Sequence, residues 1–190
     1  MDLQAGLVAL FQAPFEDATV SAADLVTGYL GAFASLQGYA AEVDAIDPTT
    51  ADLANRQASA DIFVASCLAS CFAAIAEGMA AKAHGKVYAT AEDVDADVAA
   101  LNDAWAALAE RSFDADLRAA LSEIMVRTSD VLGNLEVTLP RIVGLDAPDI
   151  PASVLSYLLY DTDAKQDTLI GLNVDQPPWL FSGTVSALSQ

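Results

Sequence analysis

Cations are scarce in this chain. Against 27 acidic residues stand 8 Lys and Arg and a single His, a formal net charge of -19 over 190 residues and a pI near 4.1. Proteins that grip nucleic acid cluster Lys and Arg against phosphate, because each neutralised phosphate needs a cation to displace counterions. Here Arg56, Lys82, Lys86, Arg111, Arg118, Arg127, Arg141 and Lys165 are scattered along the sequence. Nucleic-acid partners are therefore disfavoured, and docking on an anionic membrane fails on the same ground. The acidity reads most simply as a solubilising surface, although a salt-adapted host or a basic partner protein would also account for it.

Cysteine is nearly absent too. Cys67 and Cys71 stand one helical turn apart, a poor geometry for a disulfide, and without His or further Cys nearby they cannot complete a zinc site. They read as buried structural thiols of a chain made in a reducing cytoplasm. Long hydrophobic runs are missing as well. The most apolar stretch, Ile62 to Ala76 between Asp61 and Glu77, falls short of the roughly 20 residues of a membrane span and reads as a buried helix. Met1-Asp2 begins without a basic region, and the first apolar run, a candidate helix around Leu3–Phe11, soon meets Pro14, Glu16 and Asp17. No signal peptide is expected from that pattern.

The marks of catalysis are equally thin. His84 lies at a helix end beside Gly85, where a residue able to carry positive charge suits the helix dipole, and no Ser or Cys nucleophile is partnered to it. Asp93, Asp95 and Asp97 sit two apart on a helix, where side chains point to different sides, so they read as a solvated face. No Gly-rich phosphate loop or zinc spacing occurs. The expectation is a protein that is not an enzyme, with no catalytic, cofactor-binding or metal-binding residue.

What the chain does have is apolar material, 54% of its residues at a mean hydropathy of +0.37. Much of it is alanine, which buries little area, so close helix packing must fill the interior. Ser21 is placed to cap a first long helix with Leu25, Tyr29, Leu36 and Val43 at helical spacing, widened by Val26, Leu30 and Phe33. Asp47-Pro48-Thr49-Thr50 breaks it and caps a second, from about Ala51 to about Ala83. The core stripe of the second is Val64, Leu68, Cys71, Ile75 and Met79, with Phe63 and Phe72 beside it. Thr90 caps a third helix carrying Val94, Val98, Leu101, Trp105 and Leu108, with acidic residues in its first turn. Ser112-Phe113-Asp114 separates it from a fourth with Leu117, Leu121, Ile124, Val131 and Leu135. Four such helices joined by short turns argue for a bundle.

The character changes at Leu139-Pro140, where prolines cluster and segments shorten. A short extended stretch at Arg141–Leu145 is followed by helices at Ala152–Tyr160 and Ala164–Leu172, a Pro-Pro-Trp loop, and a strand at Thr184–Leu188 preceded by Gly183. The expected architecture is mainly α: a four-helix-type body over residues 1–138, then a small β-α-α-β module over residues 139–190.

Residues in that module carry a resemblance. Leu139-Pro140, the helix opened by Pro151-Ala152 and closed by Leu159-Tyr160-Asp161, then Leu172-Asn173, Pro177, Phe181-Ser182-Gly183 and Ala187-Leu188-Ser189 follow an order that resembles the C-terminal segment of the Mu-like phage DNA circulation (N) protein family. Val87-Tyr88-Ala89-Thr90-Ala91-Glu92-Asp93 is similar to that family's aromatic-x-Ser/Thr-x-acidic-acidic helix start. The same C-terminal order resembles the LysM fold, used as an adaptor in phage baseplate proteins. Pro151, Asn173 and Gly183 stand at its defining places: Asn closing the second helix in the left-handed conformation, Gly permitting the turn into the last strand. The chain departs from the family in lacking its β-rich N-terminal domain, and in carrying Leu172 and Gln176-Pro177 where relatives tend to have Arg and His-Pro.

The resemblance implies a structural virion protein of a bacteriophage tail, made in the host cytoplasm and assembled at the tube–baseplate junction. Its partners would be other tail proteins and copies of itself in a ring-like homo-oligomer. It also implies two alternatives, a peptidoglycan-binding LysM module that aids attachment or penetration, and a DNA-circularisation accessory protein. Tyr157, Tyr160, Trp179 and Phe181 are the candidate interface residues, since aromatics dominate interface hot spots. Trp179 and Phe181 either form a protein-binding patch or plug the module's own core.

Overall fold

The computed structural model describes residues 21–111, 113 and 115–189. The Leu3–Phe11 stretch lies outside them, as do Ser112 and Asp114 of the break before the fourth helix. Among the described residues the protein is mainly helical, with one small two-stranded antiparallel sheet near the C-terminus. Two compact units divide it: Met1–Tyr88 with Val94–Leu135, and Ala89–Asp93 with Glu136–Gln190. The second unit thus starts at Glu136, a few residues before Leu139, and also takes in a short segment from further up the chain.

The first unit holds helices α1 (Ala22–Asp44) and α2 (Ala51–His84), most of α3 (Ala91–Ala109), and α4 (Ala115–Glu136) up to Leu135. Caps set the boundaries. The Ser21 hydroxyl accepts from the Asp24 N–H at 3.2 Å and the Thr50 hydroxyl accepts from the Leu53 N–H at 3.3 Å, each satisfying a donor that a helix start leaves unpaired. Helices α1 and α2 run antiparallel at close range. The Gln57 side chain donates to the Val43 carbonyl at one end, and Val26 packs against Gly78 at the other. A Cβ at Gly78 would lie 2.7 Å from Val26 Cγ2, so this approach depends on the missing side chain.

The expected α2 stripe of Val64, Leu68, Cys71, Ile75 and Met79 is buried throughout, together with Phe72. Phe63, by contrast, is half exposed. By length and composition α2 is apolar enough to cross a membrane, although its most apolar run alone is shorter than a span. More than half of that helix's most apolar window is buried inside the protein, as in the core helix of a soluble domain. Phe72 meets Trp105 of α3 with ring centroids 5.6 Å apart and tilted by 45°, a favourable aromatic arrangement. The Lys82 ammonium pairs with Asp97, which also accepts from the Tyr88 hydroxyl at 2.6 Å. Arg111 grips Asp44 through two parallel bonds of 3.1 and 2.9 Å, the bidentate geometry that favours guanidinium.

Helix α4 differs from expectation. Its buried residues are Leu121, Thr128 and Leu132, whereas Leu117, Ile124, Val131 and Leu135 are only half-buried. The inward stripe therefore runs through Thr128, whose methyl group lets a nominally polar residue sit in the seam.

The second unit contains β1 (Ile142–Ile150), α5 (Ala152–Tyr160), α6 (Gln166–Leu172) and β2 (Phe181–Leu188). Its core is Ala147, Ala152, Leu155, Leu169, Phe181, Val185 and Ala187. The capping box at the start of α3 belongs to it: Asp93 N–H donates to the Thr90 hydroxyl, and Thr90 N–H returns a bond to Asp93 at 3.0 Å. Both strands are longer than expected. Pairing runs from Ile142 opposite Leu188 to Ala147 opposite Gly183, skips Pro148 and Asp149 as a bulge, and resumes at Ile150 opposite Phe181. Proline has no N–H to offer a ladder, and a bulge accommodates it without ending the strand. Gly183 lies inside β2 at φ +68°, rather than ahead of the strand. Only glycine adopts that conformation without strain.

Candidate interaction surface of the C-terminal unit

Helix α5 divides its residues between two surroundings. Ala152, Leu155 and Ser156 are buried, and Leu159 and Tyr160 pack against the core. Val154, Tyr157 and Leu158 fall on the other face, at the i, i+3, i+4 spacing that makes one surface of a helix, and are 44, 60 and 69% exposed. The helix begins after Pro151, whose φ of -64° suits the entry, and the Ala152 N–H donates to the Pro178 carbonyl at 2.9 Å. That bond ties the start of α5 to the turn Pro177–Leu180, closed by Leu180 N–H donating to the Pro177 carbonyl. Trp179 projects from this turn and is 74% exposed. Helix α5 ends at Asp161 in the left-handed conformation, its N–H bonded to the Tyr157 carbonyl. An open depression beside this end is lined by Tyr157, Leu158, Leu159, Tyr160, Asp161, Thr162 and Lys165.

The four candidate aromatics therefore occupy different environments. Tyr157 and Trp179 are exposed. Phe181 has no exposed surface and fills the core, so of the two roles open to it, the structure places it in the plug. Tyr160 is half-buried, and its hydroxyl donates to the Leu188 carbonyl at 3.0 Å and accepts from the Leu188 N–H at 2.8 Å. Position separates Phe181 from Trp179: Trp179 lies in the turn before β2, whereas Phe181 opens the strand and shares the inward face with Val185 and Ala187.

Asn173 ends α6, but at φ -130° and not in the left-handed region. Its carboxamide does the closing. Nδ2 donates to the Leu169 carbonyl and to the Ser186 carbonyl, both at 2.8 Å, and Oδ1 accepts from the Ser186 N–H at 2.8 Å. One amide side chain thus satisfies an orphan helix carbonyl and both polar groups of a strand residue.

Gln176, which in the sequence stands out only as a departure from the family pattern, repeats the device. Its Nε2 donates to the Thr184 carbonyl at 3.2 Å, and its Oε1 accepts from the Ser182 N–H at 3.0 Å. Together with Tyr160 on Leu188, these side chains cover most of the outward backbone groups along β2. Nothing in the spacing of Asn173 and Gln176 marks them for this, since it follows from where α6 and its exit loop lie against the strand.

Elsewhere the groups with the chemistry for a site diverge. Asp93 caps α3, Asp97 is held by Lys82 and Tyr88, and Asp95 is exposed. Among the described residues no group of three or more His, Cys, Asp or Glu is placed to hold a metal ion. Cys71 is fully buried and Cys67 partly so, both as free thiols. Burial, then the neighbouring Cys67, pushes the Cys71 thiol up to about 11, and burial raises Cys67 as well. Such thiols are poor nucleophiles at neutral pH. A cavity of about 30 Å³ between Trp105, Leu108, Ala109, Phe113, Arg118 and Leu121 is far below the size of a ligand site.

No protein-family model, curated protein or solved structure matches the chain.

Proposed function

We propose that the protein is a non-catalytic structural component of a bacteriophage tail, an adaptor at the tube–baseplate junction present in several symmetric copies. On this reading helices α1 to α4 form a four-helix-type bundle, and the C-terminal unit is a LysM-like docking module. The resemblance of its sequence order to Mu-like tail proteins supports the reading. The observation that carries it is the exposed apolar face of Val154, Tyr157 and Leu158 on a helix whose opposite face is built into the core of its unit. An adaptor uses such a face to bind neighbours, and an exposed apolar surface on an otherwise strongly acidic protein has a cost in solubility that a partner removes.

Quantitative mass spectrometry of purified particles tests this. The protein is expected at a fixed stoichiometry to the tail tube subunit, and its absence from virions would overturn the proposal. The exposure of Trp179 favours a second reading, peptidoglycan binding, since an exposed indole can stack on a sugar ring. Retention on isolated cell wall, abolished by Trp179→Ala, would select that reading. The DNA-circularisation role carried by the family resemblance gains no support from eight scattered cations.

A further inference from the structure

The two strands of the small sheet have unlike outer edges. Along β2 the residues whose N–H and C=O point away from β1 are Ser182, Thr184, Ser186 and Leu188, as antiparallel alternation requires. Gln176 holds Ser182 and Thr184, Asn173 holds Ser186, and Tyr160 holds Leu188. Most of that edge is closed by side chains of its own unit. Along β1 the outward residues are Ile142, Gly144 and Asp146, opposite Leu188, Ser186 and Thr184. Glu92 Oε1 accepts from the Ile142 N–H at 3.0 Å, and the Ala91 N–H donates to the Pro140 carbonyl just before it. The bulge at Pro148 and Asp149 breaks the regular edge on the other side. Between these stops Gly144 and Asp146 are exposed residues, and their outward N–H and C=O groups have no hydrogen-bond partner among the described residues.

We propose that this open stretch of β1, centred on Gly144 and Asp146, accepts an extended strand from a partner protein that alternates cationic and apolar side chains. Strand addition to a free edge supplies main-chain hydrogen bonds, while side chains on the two faces give selectivity. On the core side the edge presents Val143, 36% exposed, and Leu145, which packs on the core. An apolar partner residue extends that surface. On the opposite side stands the Asp146 carboxylate, which suits a cation. The unit as a whole carries two cations, Arg141 and Lys165, against nine carboxylates, seven in Glu136–Gln190 and two in Ala89–Asp93. A second copy of the chain is the wrong occupant of this edge, because edge-to-edge pairing would crowd the Asp146 carboxylates of both copies onto one short ladder and supply no cation there. The inference does not rest on the virion reading, as a free edge serves any partner of this chemistry.

The test uses the full chain and a synthetic blocked peptide of alternating Lys and Val. A version N-methylated on the residues that would donate to the β1 carbonyls keeps the charge and removes the hydrogen bonds. Amide exchange followed by NMR is expected to show protection of Gly144 and Asp146 when the Lys–Val peptide binds. N-methylation is expected to weaken binding by about tenfold or more, the scale of one or two lost hydrogen bonds. Gly144→Pro deletes an outward N–H that has no partner among the described residues, and is expected to weaken binding similarly while the circular dichroism stays unchanged. Equal binding of the N-methylated peptide would reduce the attraction to charge and overturn the proposal. So would binding without protection at Gly144 and Asp146, or failure of the Lys–Val peptide to bind. Protection that grows with protein concentration alone would assign the edge to a second copy and overturn the choice of partner. The peptide comparison stands even if Gly144→Pro does not fold.

Discussion

The Asn173 carboxamide and the Ser186 backbone pair as two strand residues would: the Ser186 N–H donates to Oδ1 and Nδ2 donates to the Ser186 carbonyl, each at 2.8 Å. A third bond, from Nδ2 to the Leu169 carbonyl, fixes the same group to α6. Asn173 is 8% exposed, so these bonds are largely shielded from competing water. Replacing Asn173 with Asp keeps the shape and the acceptor but removes both donors and places a charge beside two carbonyls. Asn173→Asp is expected to destabilise the C-terminal unit by about 2–4 kcal/mol. Denaturant titration followed by the exchange of the Ser186 amide measures it, and an unchanged protection factor would refute the role.

Phe181 and Trp179 are two residues apart and predict opposite outcomes. Phe181→Ala empties a fully buried site and is expected to cost about 3–5 kcal/mol. Trp179→Ala removes a side chain that is 74% exposed and is expected to change stability by less than about 0.5 kcal/mol. Thermal unfolding of the two variants side by side decides the matter.

Gly78 and Val26 form a steric pair in the α1–α2 contact. An added Cβ would lie 2.7 Å from Val26 Cγ2, and a β-branched side chain in a helix has few rotamers through which to retreat. Gly78→Ala is expected to lose about 1–3 kcal/mol, even though Ala is the better helix former by about 1 kcal/mol. In a Val26→Ala background the clash disappears, and the same substitution is expected to be neutral or stabilising. A double-mutant cycle reads this coupling directly.

Cys71 makes stability depend on alkaline pH. The folded state holds its thiol protonated up to about 11, because burial and then Cys67 disfavour the thiolate, while the ordinary value is 9.0. The unfolded chain therefore releases its proton first, so stability is fully present below about pH 9 and is lost as pH rises toward 11. The loss from this thiol is expected to be at most about 3 kcal/mol. Tyr29, raised chiefly by burial and then by Cys71 and Glu77, adds a loss of the same sign. Equilibrium unfolding across that range, compared with Cys71→Ala, checks the assignment. At neutral pH a disulfide reagent is expected to label Cys67 before Cys71.

Helix limits and most core stripes are legible in the sequence. Ser21, Thr50 and Thr90 cap where their positions before apolar periodic segments place them, and Val64 to Met79 bury as their spacing indicates. The strands are less legible. Pro148 argues for an early end to β1, yet a bulge carries the pairing past it, because a two-residue irregularity can be absorbed by the partner strand. The inward face of α4 also departs from the apolar spacing, since Thr128 offers a methyl group that polarity rules discount.

The candidate surface is legible only in part. Tyr157 and Trp179 are exposed and Phe181 is not, a division that follows from Trp179 lying in the turn and Phe181 in the strand, once β2 is known to begin at Phe181. The edges of the sheet leave no mark in the sequence at all. Local sequence determined which segments became helix or strand, because caps, periodicity and proline act within a few residues. Tertiary structure alone decided that Asn173, Gln176 and Tyr160 would cover one strand edge and leave the other open, because hydrogen bonds between residues up to 28 positions apart depend on how the chain returns, and no local pattern encodes that.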